Sequence, residues 1–75
     1  MEHSKSVAIG RKYRHYKGNE YLVLHIAKHS ETLEELVIYQ ALYGVRGIWA
    51  RPLSMFIEKV TINGVEVNRF GEIGE

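Results

Sequence analysis

The chain contains no cysteine, a single proline and no hydrophobic run long enough to cross a bilayer. Without cysteine, disulfide bridges, thiolate metal sites and thiol catalysis are excluded. A membrane-spanning helix needs about 20 consecutive apolar residues, and the apolar stretch near the N-terminus is also too short for a signal peptide. We therefore expect a cytoplasmic protein that does not bind a membrane and uses no cofactor.

Strong charge of either sign is also lacking. Ten Lys and Arg residues face nine Asp and Glu residues, which leaves a formal net charge of +1. Proteins that wrap duplex nucleic acid are usually far more basic, because each neutralised phosphate needs its own cation. The net charge therefore argues against a duplex-binding protein and leaves room for a local cationic patch.

The 75 residues are enough for one domain. A chain this short buries only about 60% of the surface that its unfolded form exposes, and small domains without covalent staples often gain burial by self-association. Five tyrosines, two phenylalanines and a tryptophan provide surface for a homo-oligomer. We place the domain at residues 10–70, with a flexible lead-in at 1–9 and a flexible tail at 71–75.

The first half of the domain has the alternation of short strands. In residues 11–16, Tyr13 and His15 alternate with Lys12, Arg14 and Tyr16, and this alternation predicts a strand. A second strand is predicted over residues 21–29, in which Leu22, Leu24 and Ile26 form one apolar face and the odd-numbered positions form a mixed face.

Residues 29–44 allow two interpretations. Thr32 and Glu35 fit a helical capping box, and Gly44 lies where a helix would end. The run LVIY at 36–39 instead has strong strand preference. We favour a strand that pairs residues 35–43 with the preceding strand, and the helix is the alternative.

Turn signals divide the rest of the domain. Residues 48–51 predict a short strand that stops at Pro52, and this proline suits the start of one helical or 3₁₀ turn over residues 53–56. Asn63-Gly64 between apolar runs predicts a two-residue type I′ hairpin turn. Five or six short strands with tight turns predict a mainly β protein, specifically a small SH3-like β-barrel.

Three motifs follow one another in the chain: KYRHYKG at 12–18, HSETLEELVIY at 29–39 and WARPLSMF at 49–56. In these motifs the chain resembles the bacterial and phage family called domain of unknown function 1653, over roughly residues 10–70. The resemblance implies a compact, mostly β domain and favours the strand at the ambiguous segment. It implies no established activity, so function must be predicted from the side chains.

Metal binding and catalysis are both disfavoured by spacing. On a strand, His25 and His29 share a face but stand ~13 Å apart, beyond the reach of one ion. His29 and Ser30 point to opposite sides of an extended chain, which prevents a base–nucleophile pair. Ser30 and Thr32 are better interpreted as partners of turn amides. We therefore predict no metal site and no catalytic residues.

The basic and aromatic run RKYRHYK at 11–17 has two interpretations. If Tyr13 and His15 point inward, they fill the core and the neighbouring cations solubilise the surface. If they line an open mouth of the barrel, they form a stacking platform with Arg51 and Lys17 at its rim. Aromatic side chains stack bases at roughly 1–3 kcal/mol each.

Trp49 and Arg51 also allow two roles. They are two residues apart, so on a strand both side chains emerge on one face, where the guanidinium can pair with an anion beside the indole. The structural alternative makes Trp49 a core anchor and pairs Arg51 with Glu31 or Glu35.

These residue types predict a non-catalytic module that binds an anionic aromatic small molecule or single-stranded nucleic acid, and that acts by sequestering a small nucleotide or a short strand. Its predicted contacts are stacking by Tyr13, Tyr21, Tyr39 and Trp49, charge from Arg14, Lys17 and Arg51, and hydrogen bonds from His15, His29 and Thr32. The second hypothesis is an SH3-like module that binds an extended or proline-rich peptide. A small hydrolase or transferase is the third.

Overall fold

A computed structural model describes residues 7–73 of the chain. Their elements, in chain order, are β1 (Lys12–His15), β2 (Glu20–Lys28), β3 (Glu35–Ala41), β4 (Ile48–Pro52), α1 (Leu53–Phe56), β5 (Lys59–Ile62), β6 (Val65–Asn68) and β7 (Phe70–Glu72). The predicted mainly β class is confirmed, and so is the strand, rather than the helix, after the first hairpin. In this part of the chain no helix has the length and apolar character needed to span a membrane.

The strands form two antiparallel sheets. Five of them make the main sheet in the order β4-β3-β2-β1-β7, and β5 and β6 make a separate hairpin. β4 and β7 are the two edges of the main sheet, and the hydrogen bonding of residues 7–73 does not join them. The mainly β prediction therefore holds at the level of the sheets, while closure into an SH3-like barrel is not confirmed.

A β-bulge in β2 changes which side chains face the core. The pairing with β3 advances by two residues on β2 between Val23 and His25 but by one residue on β3, so Leu24 is the extra residue. Val23 is fully buried before the bulge, and Ile26 packs against the core after it. The predicted apolar face of Leu22, Leu24 and Ile26 is wrong, because one inserted residue reverses the alternation of the strand.

The core lies on one face of the main sheet, and four of the eight residues in its buried cluster are aromatic. Phe56 from α1 stacks on Phe70 from β7, with their centroids 4.1 Å apart and their planes 6° from parallel. Tyr13 and Tyr39 each meet the Phe56 ring edge-on at 5.4 Å. Such ring pairs add roughly 0.5–1.5 kcal/mol each beyond the area that they bury. The helical turn and the last strand therefore hold the centre of the molecule together.

The folded domain extends past both predicted boundaries. Val7 is 1% exposed, and the Ala8 backbone N–H donates to the Tyr13 hydroxyl at 2.8 Å. At the other end, Gly71 and Glu72 pair with β1. These four residues therefore take part in the folded structure, because a thin core gains apolar area from Val7 and β1 gains a backbone partner in β7. Residues 1–6 and 74–75 lie outside the described residues.

The predicted hairpin turn is confirmed. Asn63 and Gly64 have φ values of 52° and 80°, and they join the paired residues Ile62 and Val65. We expect Gly64→Val to destabilise the domain by about 1–2 kcal/mol, because a β-branched residue resists a left-handed backbone. Thermal unfolding followed by circular dichroism measures the loss.

The matched control for this prediction is Gly64→Asn. Asparagine tolerates positive φ, so this variant should retain most of the melting temperature that the valine variant loses. Equal losses for the two variants would show that the backbone conformation of Gly64 is not the cause.

Candidate functional site

An aromatic pocket of about 230 Å³ opens beside the edge strand β4. We call it the ring pocket, and its lining residues are Tyr21, Tyr39, Tyr43, Trp49 and Arg51. The sheet register explains the grouping. Trp49 pairs with Tyr39, and Arg51 pairs with Val37, so the side chains of Trp49 and Arg51 lie on the same face of the sheet as these two buried residues of β3. The prediction that Trp49 and Arg51 share one face of a strand is confirmed.

Three tyrosines form one wall of the ring pocket. Tyr21 meets Tyr39 and Tyr43 edge-on at 5.3 and 5.6 Å, and the hydroxyls of Tyr21 and Tyr43 share a hydrogen bond of 2.8 Å. Burial, and then the hydrogen bond with Tyr43, raise the pKa of Tyr21 to about 12. The Tyr21 phenol therefore stays protonated at neutral pH and adds no negative charge to the pocket.

Trp49 forms the outer wall and leaves much of its indole exposed. The residue is 59% exposed, so the interpretation of Trp49 as a core anchor is wrong. The indole lies close to the backbone of Gly47, where an added Cβ would stand 3.4 Å from the Trp49 Nε1 atom. Because β4 is an edge strand, nothing in the main sheet lies beyond this ring. The indole is therefore positioned to stack on a planar group.

Arg51 lines the ring pocket beside Tyr39. Its Nε–H donates to the Tyr39 hydroxyl at 3.3 Å, and its guanidinium carbon lies 5.7 Å from the centroid of Phe70. None of the ion pairs between described residues includes Arg51, so the predicted alternative of a pair with Glu31 or Glu35 is not observed. The half-buried guanidinium keeps donors for an incoming anion.

His15 does not line the ring pocket, but it contacts Phe70, the ring against which Arg51 lies. Its ring meets Phe70 edge-on at 4.9 Å, and its Nδ1 atom accepts a hydrogen bond of 3.2 Å from the Lys17 backbone N–H. Burial lowers the pKa of His15, and the charges of Arg69, Lys17 and Arg51 lower it further. The surroundings of His15 are therefore cationic.

The rest of the basic-aromatic run does not reach the ring pocket. Tyr13 is 4% exposed and its ring is part of the core. This agrees with the interpretation in which Tyr13 points inward and fills the core. Arg14 forms an exposed ion pair with Glu20 at 3.0 Å. Lys17 lies in the β1–β2 turn, with its Nζ 5.9 Å from the Tyr16 ring. Strand alternation thus separates Tyr13 and His15 from the outward-facing cations.

His29 and Thr32 lie in the turn between β2 and β3, at the opposite end of β2 from Tyr21. The Nδ1 atom of His29 accepts hydrogen bonds from the backbone N–H groups of Glu31 and Thr32, and the Thr32 hydroxyl accepts one from the Glu34 N–H. Eight residues of strand span about 26 Å, so these two side chains order the turn and are not brought to the pocket. Within residues 7–73 no group of three or more His, Asp or Glu side chains could hold a metal ion.

Sequence reasoning missed Tyr43, Phe70 and Arg69. Tyr43 follows the last residue of β3 by two, so continued alternation past Ala41 could have placed it on the face of Tyr39. Phe70 was assigned to the end of the domain, although an aromatic residue just after a hairpin is a signal for a further buried strand. Arg69 carried no signal, because its position depends on the pairing of β7 with β1.

The comparisons with known proteins agree with this architecture. The profile of the family described as "Protein of unknown function (DUF1653)" matches residues 11–72. A crystal structure of a DUF1653 protein from Bordetella bronchiseptica is 36% identical in sequence and superposes with a TM-score of 0.82, covering 93% of this chain and 91% of that one. No curated protein is a significant match.

Proposed function

The chain belongs to the DUF1653 family, whose description assigns no activity, and from its own site we propose that it is a non-catalytic module that binds and sequesters a nucleotide-type ligand. One observation carries the proposal: an exposed indole and three tyrosines surround an arginine that has no ion pair among the described residues. The rings suit a planar base, which stacking holds by roughly 1–3 kcal/mol. The guanidinium suits a phosphate, to which it can donate two parallel hydrogen bonds.

The volume of the pocket limits the ligand. At about 230 Å³, it is smaller than the roughly 300–1,000 Å³ of pockets that enclose a drug-sized molecule. One planar ring fits inside, and the rest of the ligand must lie along the surface near Arg51. This size favours a small nucleotide over a strand whose successive bases each need a platform.

The second candidate is a module that binds an extended or proline-rich peptide. It is favoured by the edge position of β4 beside the aromatic pocket, which is the arrangement that peptide-binding grooves use. In this proposal the main sheet and the β5–β6 hairpin are the two halves of an open SH3-like barrel, and α1 is its helical turn. Arg51 weighs against a cationic peptide, because none of the acidic side chains within residues 7–73 lines the ring pocket.

The test begins with protein purified without denaturation. The protein is unfolded, and the supernatant is examined by ultraviolet absorption and mass spectrometry for a released nucleotide. The empty protein is then titrated with mononucleotides and with proline-rich peptides while Trp49 fluorescence is followed. Trp49 is the single tryptophan of the chain, so its quenching reports the ring pocket directly. A response to peptides and none to nucleotides would favour the peptide module instead.

A further inference from the structure

The ring of Phe70 connects the ring pocket with His15. The Arg51 guanidinium lies against Phe70 on the pocket side, and Tyr21 and Tyr39 meet it edge-on at 5.6 and 5.7 Å. His15 contacts the same ring at 4.9 Å. The guanidinium of Arg51 and the imidazole of His15 therefore contact the same ring, which brings the two groups into one neighbourhood.

Arg69 is held beside His15 by the backbone. Its carbonyl accepts a hydrogen bond of 2.9 Å from the Tyr16 N–H, and the adjacent Phe70 pairs directly with His15 across the sheet. One Nη of Arg69 donates to Glu58 at 3.3 Å, while its buried Nε has no partner among the described residues. Arg69 therefore has donor capacity that its ion pair does not use.

The charges around His15 are mainly positive. Three cations act on it from three elements: Arg69 between β6 and β7, Lys17 in the β1–β2 turn, and Arg51 in β4. Arg14 and Glu72 line a larger cavity together with His15, and each forms an ion pair of its own. The burial of the imidazole and these cations keep its pKa below the ordinary value of 6.5. An arriving anion would reverse that shift.

We propose that His15, Arg51 and Arg69 form a phosphate site for the terminal phosphate of a nucleotide whose base occupies the ring pocket, and that His15 takes up a proton as this phosphate binds. The inference rests on the proposed function and narrows its ligand to a phosphomonoester. Since the Nδ1 of His15 accepts from the Lys17 N–H, its Nε2 carries the proton of the neutral ring and stays the donor to the ligand. The added proton goes to Nδ1, which then no longer accepts from the Lys17 N–H, so the phosphate must also offset the loss of that hydrogen bond.

A terminal phosphomonoester carries more negative charge than a phosphodiester within a nucleic acid strand. A phosphomonoester has a second pKa of about 6 and carries close to two negative charges at pH 7, whereas a phosphodiester carries one. The monoester therefore raises the pKa of a neighbouring imidazole more strongly than a diester does. The structure therefore favours a small nucleotide with a terminal phosphate.

Calorimetry at pH 7 tests the site with three matched probes. These are the 5′-monophosphates of adenosine, guanosine, cytidine and uridine, the 5′-methyl phosphodiesters of the same compounds, and the four nucleosides. At least one monophosphate should bind roughly tenfold more tightly than its methyl diester. His15→Gln should remove this tenfold preference and leave the affinity for the nucleoside unchanged. His25→Gln, at an exposed position of β2, is the control and should change neither affinity.

A titration of the wild-type protein followed by nuclear magnetic resonance tests the proton uptake without any variant. The pKa of His15 should start below 6.5 and rise when the monophosphate is added. Because the bound state then holds more protons, affinity should increase as the pH is lowered from 8 towards 6.5.

The results separate the two proposals. Equal affinities for monophosphate and methyl diester, or an unchanged His15 titration, would overturn the phosphate site while nucleoside binding in the ring pocket stands. If none of the probes binds, the nucleotide function fails together with the inference.

Discussion

Arg51→Ala is expected to abolish binding of a nucleotide-type ligand while leaving the melting temperature nearly unchanged. In the described part of the chain the guanidinium makes one hydrogen bond, to the Tyr39 hydroxyl, and lies against the Phe70 ring. These contacts are weak, whereas each charge-assisted hydrogen bond to a phosphate contributes about 1.5–3 kcal/mol. Ligand titration and thermal unfolding of the same preparation measure both quantities.

Two further variants make this prediction specific. Arg51→Lys should also bind poorly, because an ammonium group cannot reproduce a bidentate contact. Lys59→Ala removes an equal charge from the exposed β5 strand of the separate hairpin and should leave binding unchanged. A lower melting temperature for Arg51→Ala with intact binding would mean that Arg51 serves the fold, and the site assignment would be wrong.

Phe56→Ala is expected to leave most of the protein unfolded at 37 °C. Phe56 is 1% exposed, and its ring contacts those of Tyr13, Tyr39 and Phe70. Truncation of a buried phenylalanine costs about 3–5 kcal/mol, and a small domain has a total stability near the low end of roughly 5–15 kcal/mol. The loss of near-ultraviolet circular dichroism and a lower urea midpoint would report it.

The neighbouring residue of the same helical turn provides the control. Met55 is 44% exposed, so Met55→Ala should lower the urea midpoint only slightly. Phe56 also supports Phe70, against which Arg51 and His15 lie, so any folded fraction of the Phe56 variant should bind ligand less well. An unchanged urea midpoint for Phe56→Ala would contradict the aromatic core described above.

Local chemistry was sufficient to predict several elements from the sequence. Asn63-Gly64 encodes its turn because both residues tolerate positive φ, and Pro52 marks the start of α1 because proline suits the first helical position. The strand that became β3 follows from the strand preference of the run LVIY at 36–39. The placement of Trp49 and Arg51 on one face also follows from alternation alone, and these are two of the five residues that line the ring pocket.

Tertiary structure alone decided the rest of the site. Alternation shows which residues share a face, but it does not show which face is covered or what lies across from it. Tyr13 and Tyr39 have the same strand pattern, yet Tyr13 is enclosed in the core while Tyr39 also reaches the ring pocket. The bulge at Leu24 reverses the faces of β2 through a single residue with no signal in composition. Phe70 and Arg69 are placed by the pairing of β7 with β1, a contact between distant segments whose stability comes from burial that no local pattern encodes.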